Sequence, residues 1–549
     1  MVGTRGGSIV KKNSTTSLSV WGKLEDRARL METKDNHVKV LLQDPQRLEK
    51  FSLKGAGIFY DFSRQRVDDE AMELLFELAE VKKLPARFEA MARGEKVNKT
   101  ENRAALHTAA RDFSGAPILI DGTDVAPMIQ KVREDIALFS RQVHAGEICG
   151  STGKRFKHVV VIGIGGSYLG TQFVSEALRA YADMGMQLHY LANVDIHNFA
   201  HVVSCIDPET TLWIVVSKSY TTAETMANAA QAKEYVKTKG LDPSKHFVAI
   251  TAKGSAGDNP SAPVIRAFHM FDFFGGRYSV SSAVGGLPLS LYLGYDRFEA
   301  FLKGAEEVDI HTRTVPIRKN IPLTAALIAV WNNNFLHYPA QGIIPYAQPL
   351  HKLAAHIQQL NMESNGKYVS ADGQIMDIAT GTIIFGEPGT NAQHSFFQLA
   401  HQGRPFPIDF IGAVNPQYAG YRSKSRGVTN YQELWANLLA QPMALAMGKE
   451  DPNPAKYFPG NRPSSTILVN SLNPTDIGRL LAFYEARTVY EAFIWGINPF
   501  DQFGVELGKT LASQTRKEIA AKNENPNYAF TGVDPITLHY LEVMFKGGI

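Results

Sequence analysis

Only two cysteines, Cys149 and Cys205, occur in 549 residues. That supports neither a disulfide framework nor a zinc ligand set, and it fits a reducing compartment such as the cytoplasm. Long hydrophobic runs are missing too. The longest apolar stretches, such as Val159–Ile162 and Leu212–Val216, are strand-sized and fall far short of a membrane span. Neither charge sign dominates: the formal net charge is +3, small for this length, so neither nucleic acid nor a membrane is an expected partner. Short-period repeats and low-complexity tracts are also absent. The start, MVGTRGGSIVKKNSTTSLSV, has three basic residues but no apolar core of signal-peptide length. Met1–Thr15 is expected to be a loose arm.

What is present suits a globular chain, with 44% hydrophobic and 20% charged residues. The length points to about three or four domain-sized units. Residues 20–115 are mostly helical in pattern, and DDEAMELLFELAEVKKLPARFEAMARGE is predicted to break at Pro85. Beyond this, β-rich runs at Val159–Ile162, Leu188–Ala192, Leu212–Val216 and Phe247–Thr251 alternate with helix-like stretches such as Thr222–Lys237. Such alternation implies βαβ units and a parallel sheet. A second series places buried strands at Ile343–Ile344, Thr382–Phe385, Phe406–Ile411 and Thr466–Val469. Helices are expected at 429–447 and 474–495, and TAALIAVWNNNFLHY reads as a buried helix. The expected fold class is α/β: two three-layer lobes with mainly parallel sheets, plus N- and C-terminal helices. The expected segments are 1–120 (helical), 121–296 (first, small lobe), 297–515 (second, large lobe) and 516–549 (helical tail).

Two strand–helix junctions carry chemistry. In VVVIGIGGSYLG (159–170), Gly163 and Gly165 meet the first two positions of a dinucleotide fingerprint, but the third falls on Tyr168. A nucleoside-triphosphate loop fits weakly too, since Gly-Lys-Ser/Thr is absent from the end of this stretch. What remains is a strand, a glycine turn and Ser167 at a predicted helix start, where unpaired N–H groups suit an anion. A tight turn without ligand fits the loop equally. In TLWIVVSKSYTTAETMANA, five hydroxyl residues (Ser217, Ser219, Thr221, Thr222 and Thr225) surround one junction, together with Lys218. One would suffice as an N-cap. A patch this dense suits a phosphate monoester.

These junctions resemble the sugar-isomerase fold. Further stretches narrow the resemblance to the phosphoglucose isomerase family: GGRYSVSSAVG (275–285), GINPFDQFGVELGK (496–509), NMESNGKY (361–368), GEPGTNAQHSFFQLAHQG (386–403) and GEKVNKTENRAALHTAAR (94–111). Together they cover about residues 50–515. The resemblance implies reversible conversion of glucose 6-phosphate to fructose 6-phosphate, by ring opening and acid–base proton transfer between C2 and C1 through an enediolate. It implies no metal or organic cofactor.

The resemblance also distributes roles. Glu363 matches the base and Arg277 the group that stabilises the enediolate. His394 matches the ring-opening histidine, which in the family comes from the neighbouring subunit, so a homodimer is implied. Lys509 matches a lysine near the ring oxygen. Gln359 and Gln502 match substrate contacts, and Ser217, Ser219 and Thr222, with Lys218 and Thr225 nearby, match the phosphate anchors. Gly166 and Ser167 fall in the sugar-contacting loop.

Local patterns add detail. Gln359 and Glu363 are four apart on one predicted helical face. Glu363 lies in the last turn, against the negative end of the helix dipole, which strengthens a base. Asn391 is expected to cap a helix with His394 in its first turn. Gln502 and Lys509 share a face if their stretch is helical, although a surface Glu506–Lys509 pair fits the same spacing. Arg277 without its motif would better suit a buried ion pair with Asp272 or another acid. Departures from the family pattern at Tyr168, Ser219, Phe503, Ala392 and Ser395 leave every implied catalytic side chain in place. The alternative, a non-catalytic sugar-phosphate-binding protein on the same fold, predicts loss of the Glu, His or Lys.

Overall fold

The computed structural model describes residues 14–261 and 264–549. An early hairpin pairs β1 (Ser52–Gly55) with β2 (Ile58–Asp61). The chain then forms β3 (His158–Ile162), β4 (Gln187–Leu191), β5 (Thr211–Val216), β6 (Phe247–Thr251) and β7 (Ala267–His269). These make a five-stranded parallel sheet ordered β4-β3-β5-β6-β7. Later strands β8 (Ala340–Pro345), β9 (Ile383–Phe385), β10 (Ile408–Ala413) and β11 (Ser464–Val469) join the hairpin. That six-stranded sheet is ordered β1-β2-β11-β10-β8-β9. Its last four strands run parallel, and β2 meets β11 antiparallel. The α/β class with mainly parallel sheets is therefore observed.

Strands buried on both faces read as continuous apolar runs. Val159, Val161, Leu212 and Ile214 pack on one face of the first sheet with Phe139 and Leu287. Val160, Ile162, Trp213 and Val215 pack on the other with Phe199, Ala232 and Val236. Helices Ala126–Ala145 and Ala283–Leu293 cover the first face, and Ile196–Ser204 and Ala223–Thr238 the second. In each sheet the first parallel strand gains neighbours on both sides: β3 lies between β4 and β5, and β8 between β9 and β10. Such a reversal of strand order opens a crevice at the carboxyl ends of the strands.

Several sequence expectations shift. The helical break falls at Lys82 and Lys83, between Asp69–Val81 and Leu84–Ala92, with Lys83 at φ +53°. Pro85 instead occupies the first turn of the second helix, where its missing N–H has no partner to lose. TAALIAVWNNNFLHY is α-helical over Ile321–Val330 and then widens into a π turn, Trp331–Phe335. Thr15 is no loose arm: it is buried, and its hydroxyl donates to the carbonyls of Ile494 and Trp495. The rest of that expectation, residues 1–13, lies outside the described residues.

Tertiary contacts group Met1–Phe500 as one unit and Asp501–Ile549 as another. The second unit contains helices Glu506–Glu524 and Pro535–Lys546. Glu518 ties their connection down by accepting from the Tyr528 hydroxyl and the Thr531 N–H. Among the described residues, no helix is long and apolar enough to cross a membrane.

Candidate active site

The glycine loop and the hydroxyl patch sit at the carboxyl ends of β3 and β5, which are neighbours in the sheet. Gly165–Ser167 form a short 3-10 turn, and the following helix begins at Leu169. Gly166 is an obligate glycine: a Cβ there would lie 2.3 Å from the carbonyl carbon of Gly276 and 2.6 Å from the Arg277 nitrogen. A Cβ on Gly165 would stand 3.2 Å from Gln359 Nε2. The loop thus touches both the Gly275–Arg277 turn and the segment carrying Glu363.

At the end of β5, Ser217 is buried and its hydroxyl lies 3.4 Å from that of Thr222. Thr222 occupies the cap position of helix Ala223–Thr238, yet its side chain makes no cap hydrogen bond. The hydroxyl patch therefore exceeds what this helix uses, and the helix N–H groups remain available to an anion. Tyr220 holds a left-handed backbone at φ +55°, with its ring against Gly257. This turn presents Ser219 and Thr221, whose hydroxyls are 2.6 Å apart. Lys218 Nζ donates to the Asp272 carbonyl and pairs with its carboxylate, both at 3.1 Å. Burial pulls the ammonium pKa down, against the opposing pull of Asp272. Thr225 is buried one turn into the helix.

The stretch HKLAAHIQQLNMESNG, expected to be a helix ending at Gly366, is α-helical over Leu353–Ile357 and then a π turn over Gln358–Glu363. Such turns are frequent at functional sites. Glu363 Oε1 lies 3.1 Å from Arg277 Nη1, and Oε2 accepts from Gln359 Nε2 at 2.9 Å. The Glu363 side chain retains 24% of its exposure, whereas that of Arg277 retains 1%. Arg277 therefore does form a buried ion pair, but with Glu363; Asp272 goes to Lys218. Gln359 Oε1 is buried without a hydrogen-bond partner among the described residues.

Other expected residues are placed differently. His394 is not in a first helical turn. It is the C-terminal cap of the short helix Gly389–Gln393, which is preceded by Pro388 and not capped by Asn391. His394 is exposed, and among the described residues no side-chain hydrogen bond ties it to Glu363 or Arg277. Gln502 precedes a 3-10 turn, Phe503–Val505, and the helix containing Lys509 begins at Glu506. The two therefore share no helical face. Lys509 makes the surface contact with Glu506, at 3.1 Å with 61% of the lysine side chain exposed.

The structure adds supporting groups that sequence reasoning passed over. Ser364, fully buried, accepts from Arg277 Nε at 2.6 Å and hydrogen-bonds the Tyr278 hydroxyl at 2.9 Å. The Pro499 carbonyl accepts from Arg277 Nη2 at 2.5 Å. His107 stacks on Tyr278, with ring centroids 4.7 Å apart. Beneath the π turn, Glu491 accepts from Asn361 at 2.6 Å and Asn365 at 3.0 Å, and Arg487 joins it at 2.8 Å. Burial pushes the Glu491 carboxyl up, with Arg487 opposing. The available signal was charge inside an apolar helix: Glu485, Arg487 and Glu491 interrupt LLAFYEARTVYEAFIW, and all three are buried in Pro474–Trp495.

Known proteins resemble this chain over most of its length. The family model described as phosphoglucose isomerase matches residues 61–532. A glucose-6-phosphate isomerase of Desulfosudis oleivorans is 61% identical over 98% of this chain and 100% of its own length. The cytosolic A glucose-6-phosphate isomerase of Oryza sativa is 47% identical, covering 90% of each chain. The crystal structure of a glucose-6-phosphate isomerase from Chlamydia trachomatis superposes with a TM-score of 0.88 at 36% identity, covering 97% of this chain and 100% of the other. With a matched fold, a matched family model and a glycine-lined Glu–Arg pair beside a hydroxyl-rich strand–helix junction, this chain belongs to the phosphoglucose isomerase family.

Proposed function

We propose that the chain interconverts glucose 6-phosphate and fructose 6-phosphate by proton transfer between C2 and C1. The observation that carries this is the contact of Glu363 with Arg277 at 3.1 Å, beside a glycine turn that adjoins the hydroxyl cradle. The phosphate dianion sits on Ser217, Ser219 and Thr222 and on the N–H groups opening helix Ala223–Thr238. Lys218 adds positive charge nearby, and Thr225 backs the cradle. Gly166 and Ser167 give the sugar a wall without bulk. Glu363 removes the C2 proton and returns it at C1. The fixed Arg277 guanidinium neutralises the enediolate oxygen, a preorganised charge that needs no rearrangement when the proton leaves. Gln359 orients Glu363 through its amide, and its unpartnered oxygen accepts from a sugar hydroxyl.

Ring opening falls to His394, with Lys509 and Gln502 near the ring oxygen. His394 serves the site of a second copy, making the homodimer the catalytic unit. Its exposure, and the lack of any buried residue in helix Glu506–Glu524, support a surface completed by another chain. Leu507 and Leu511 in that helix are 70% and 52% exposed. A cytoplasmic location is supported by relatives named cytosolic. A binder without chemistry would need no carboxylate and guanidinium held in register.

The test is Glu363→Gln in a coupled assay of fructose 6-phosphate conversion. Turnover should fall by about 10²–10⁴, the scale of one acid–base group, while phosphate-ester binding persists. Near-full activity would remove Glu363 from the base role.

A further inference from the structure

A cavity of about 680 Å³ lies away from the candidate active site, lined by none of its residues. Its walls come from the helix break at Lys82, the helix Leu84–Ala92, the segment 370–377 and the end of helix Pro474–Trp495. Most of its charges are already matched. Lys96 pairs with Asp121 at 2.7 Å, and Lys99 with Asp372 at 2.8 Å. Asp377 accepts from the Ser14 and Thr16 hydroxyls. Left over are one exposed carboxylate, Glu95, and two cations. Lys82 donates to the neutral Thr15 hydroxyl at 2.6 Å, and Arg87 donates to the neutral Phe493 carbonyl at 2.8 Å. The Arg87 guanidinium also lies 4.3 Å from the centre of the Phe493 ring. Neither forms an ion pair with a carboxylate among the described residues. Asp372 acts on Arg87 only at a distance, and its near partner is Lys99.

Both cations are largely buried, and burial pulls both of their pKa values down, Lys82 to about 8 with Arg87 adding repulsion. Keeping two neighbouring cations out of water without a counter-charge is unfavourable. An anion between them removes the repulsion and supplies the missing acceptors. The same cavity presents hydroxyls from Thr15 and Ser370 and apolar surface from Met376, Trp495 and Ile497. The volume lies within the range of small-molecule sites.

We infer that this cavity is a second anion site, in which Lys82 and Arg87 hold the phosphate of a small organic phosphate whose carbon skeleton rests on the Trp495–Ile497 wall. The site is separate from the Ser217–Thr222 cradle and does not depend on the isomerase chemistry.

Calorimetric titration of the full chain with inorganic phosphate tests this. Wild type should bind two phosphates per chain. Ser217→Ala with Thr222→Val should remove one, and Lys82→Met with Arg87→Met should remove the other while sparing turnover. Arg87→Met alone should weaken the second site by about 10- to 100-fold, the weight of a hydrogen bond to a charged group. Binding there should also weaken as pH rises through the Lys82 value of about 8. A Lys82/Arg87 double variant that still binds two phosphates would overturn the inference, as would a wild type whose only phosphate is lost with Ser217 and Thr222. Should the double variant fail to fold, acylation of wild-type Lys82 at pH 8, read by peptide mass, decides. Phosphate protection that persists in Ser217→Ala/Thr222→Val supports the site, and no protection refutes it.

Discussion

Replacing Ser364 with alanine removes a single oxygen, but that oxygen lies where Arg277 is fixed. It accepts from Arg277 Nε at 2.6 Å and is joined to the Tyr278 hydroxyl at 2.9 Å, and Ser364 has no exposure. The substitution therefore deletes one hydrogen bond from a charged donor and one between neutral groups. Charged bonds contribute about 1.5–3 kcal/mol and neutral ones about 0.5–1.5. Loss of both should lower unfolding free energy by about 2–4 kcal/mol, since no water replaces a partner in so closed a place.

The guanidinium keeps Pro499 and Glu363 as partners, so it should tilt and not leave. A small displacement of a charge-stabilising group should reduce kcat by about 10- to 100-fold, with KM nearly constant because the phosphate cradle is untouched. The assays are urea unfolding and steady-state kinetics in both directions. Ser290→Ala is the control: Ser290 is equally buried, but its hydroxyl has no partner among the described residues, so that variant should change stability by less than about 1 kcal/mol. If Ser364→Ala behaves like the control in both assays, Ser364 does not position Arg277.

Gly166→Ala should nearly abolish turnover, because its Cβ would meet the Gly276 backbone at 2.3 Å and force the two turns apart; activity above about a tenth of wild type contradicts the close approach. His356 is fully buried against Phe173, neither ring nitrogen has a partner among the described residues, and burial pulls its pKa down to about 4. The unfolded chain takes up this proton near 6.5 while the folded chain does not, so stability should fall as pH drops from 6.5 to 4, by about 1.4 kcal/mol per unit. His356→Phe should flatten that dependence in pH-resolved unfolding; an unchanged slope assigns it to other groups. Mixing Glu363→Gln chains with His394→Ala chains should restore about a quarter of wild-type activity if His394 serves the partner's site, since half the dimers then hold one intact site. No recovery, with mixed dimers verified, would place His394 within its own chain.

Strands were legible in the sequence because a doubly covered parallel sheet needs unbroken apolar runs, and Leu212–Val216 or Phe247–Thr251 serve no other structure as well. The hydroxyl cluster at 217–225 pointed to an anion before any geometry, since it exceeds what capping requires, whereas the glycines at 163–166 fitted a ligand-free turn equally. Motif-length matches then named Glu363 and Arg277. What no window could show was which buried charges answer each other. Ser364 and Tyr278 follow Glu363 and Arg277 directly in the chain, yet their mutual contact spans 86 positions. The Asn361–Glu491 brace spans 130. Local pattern also misplaced His394 and Gln502, because a Pro–Gly pair and an intervening 3-10 turn moved the helix ends. The sequence by itself determined most of the parallel strands, the two strand–helix turns and the family, because each is written in contiguous residues. Only the tertiary structure decided the pairing of Arg277 with Glu363 and left Lys82 and Arg87 without an ion pair among the described residues, because burial and charge compensation depend on neighbours that the chain brings together from hundreds of residues apart.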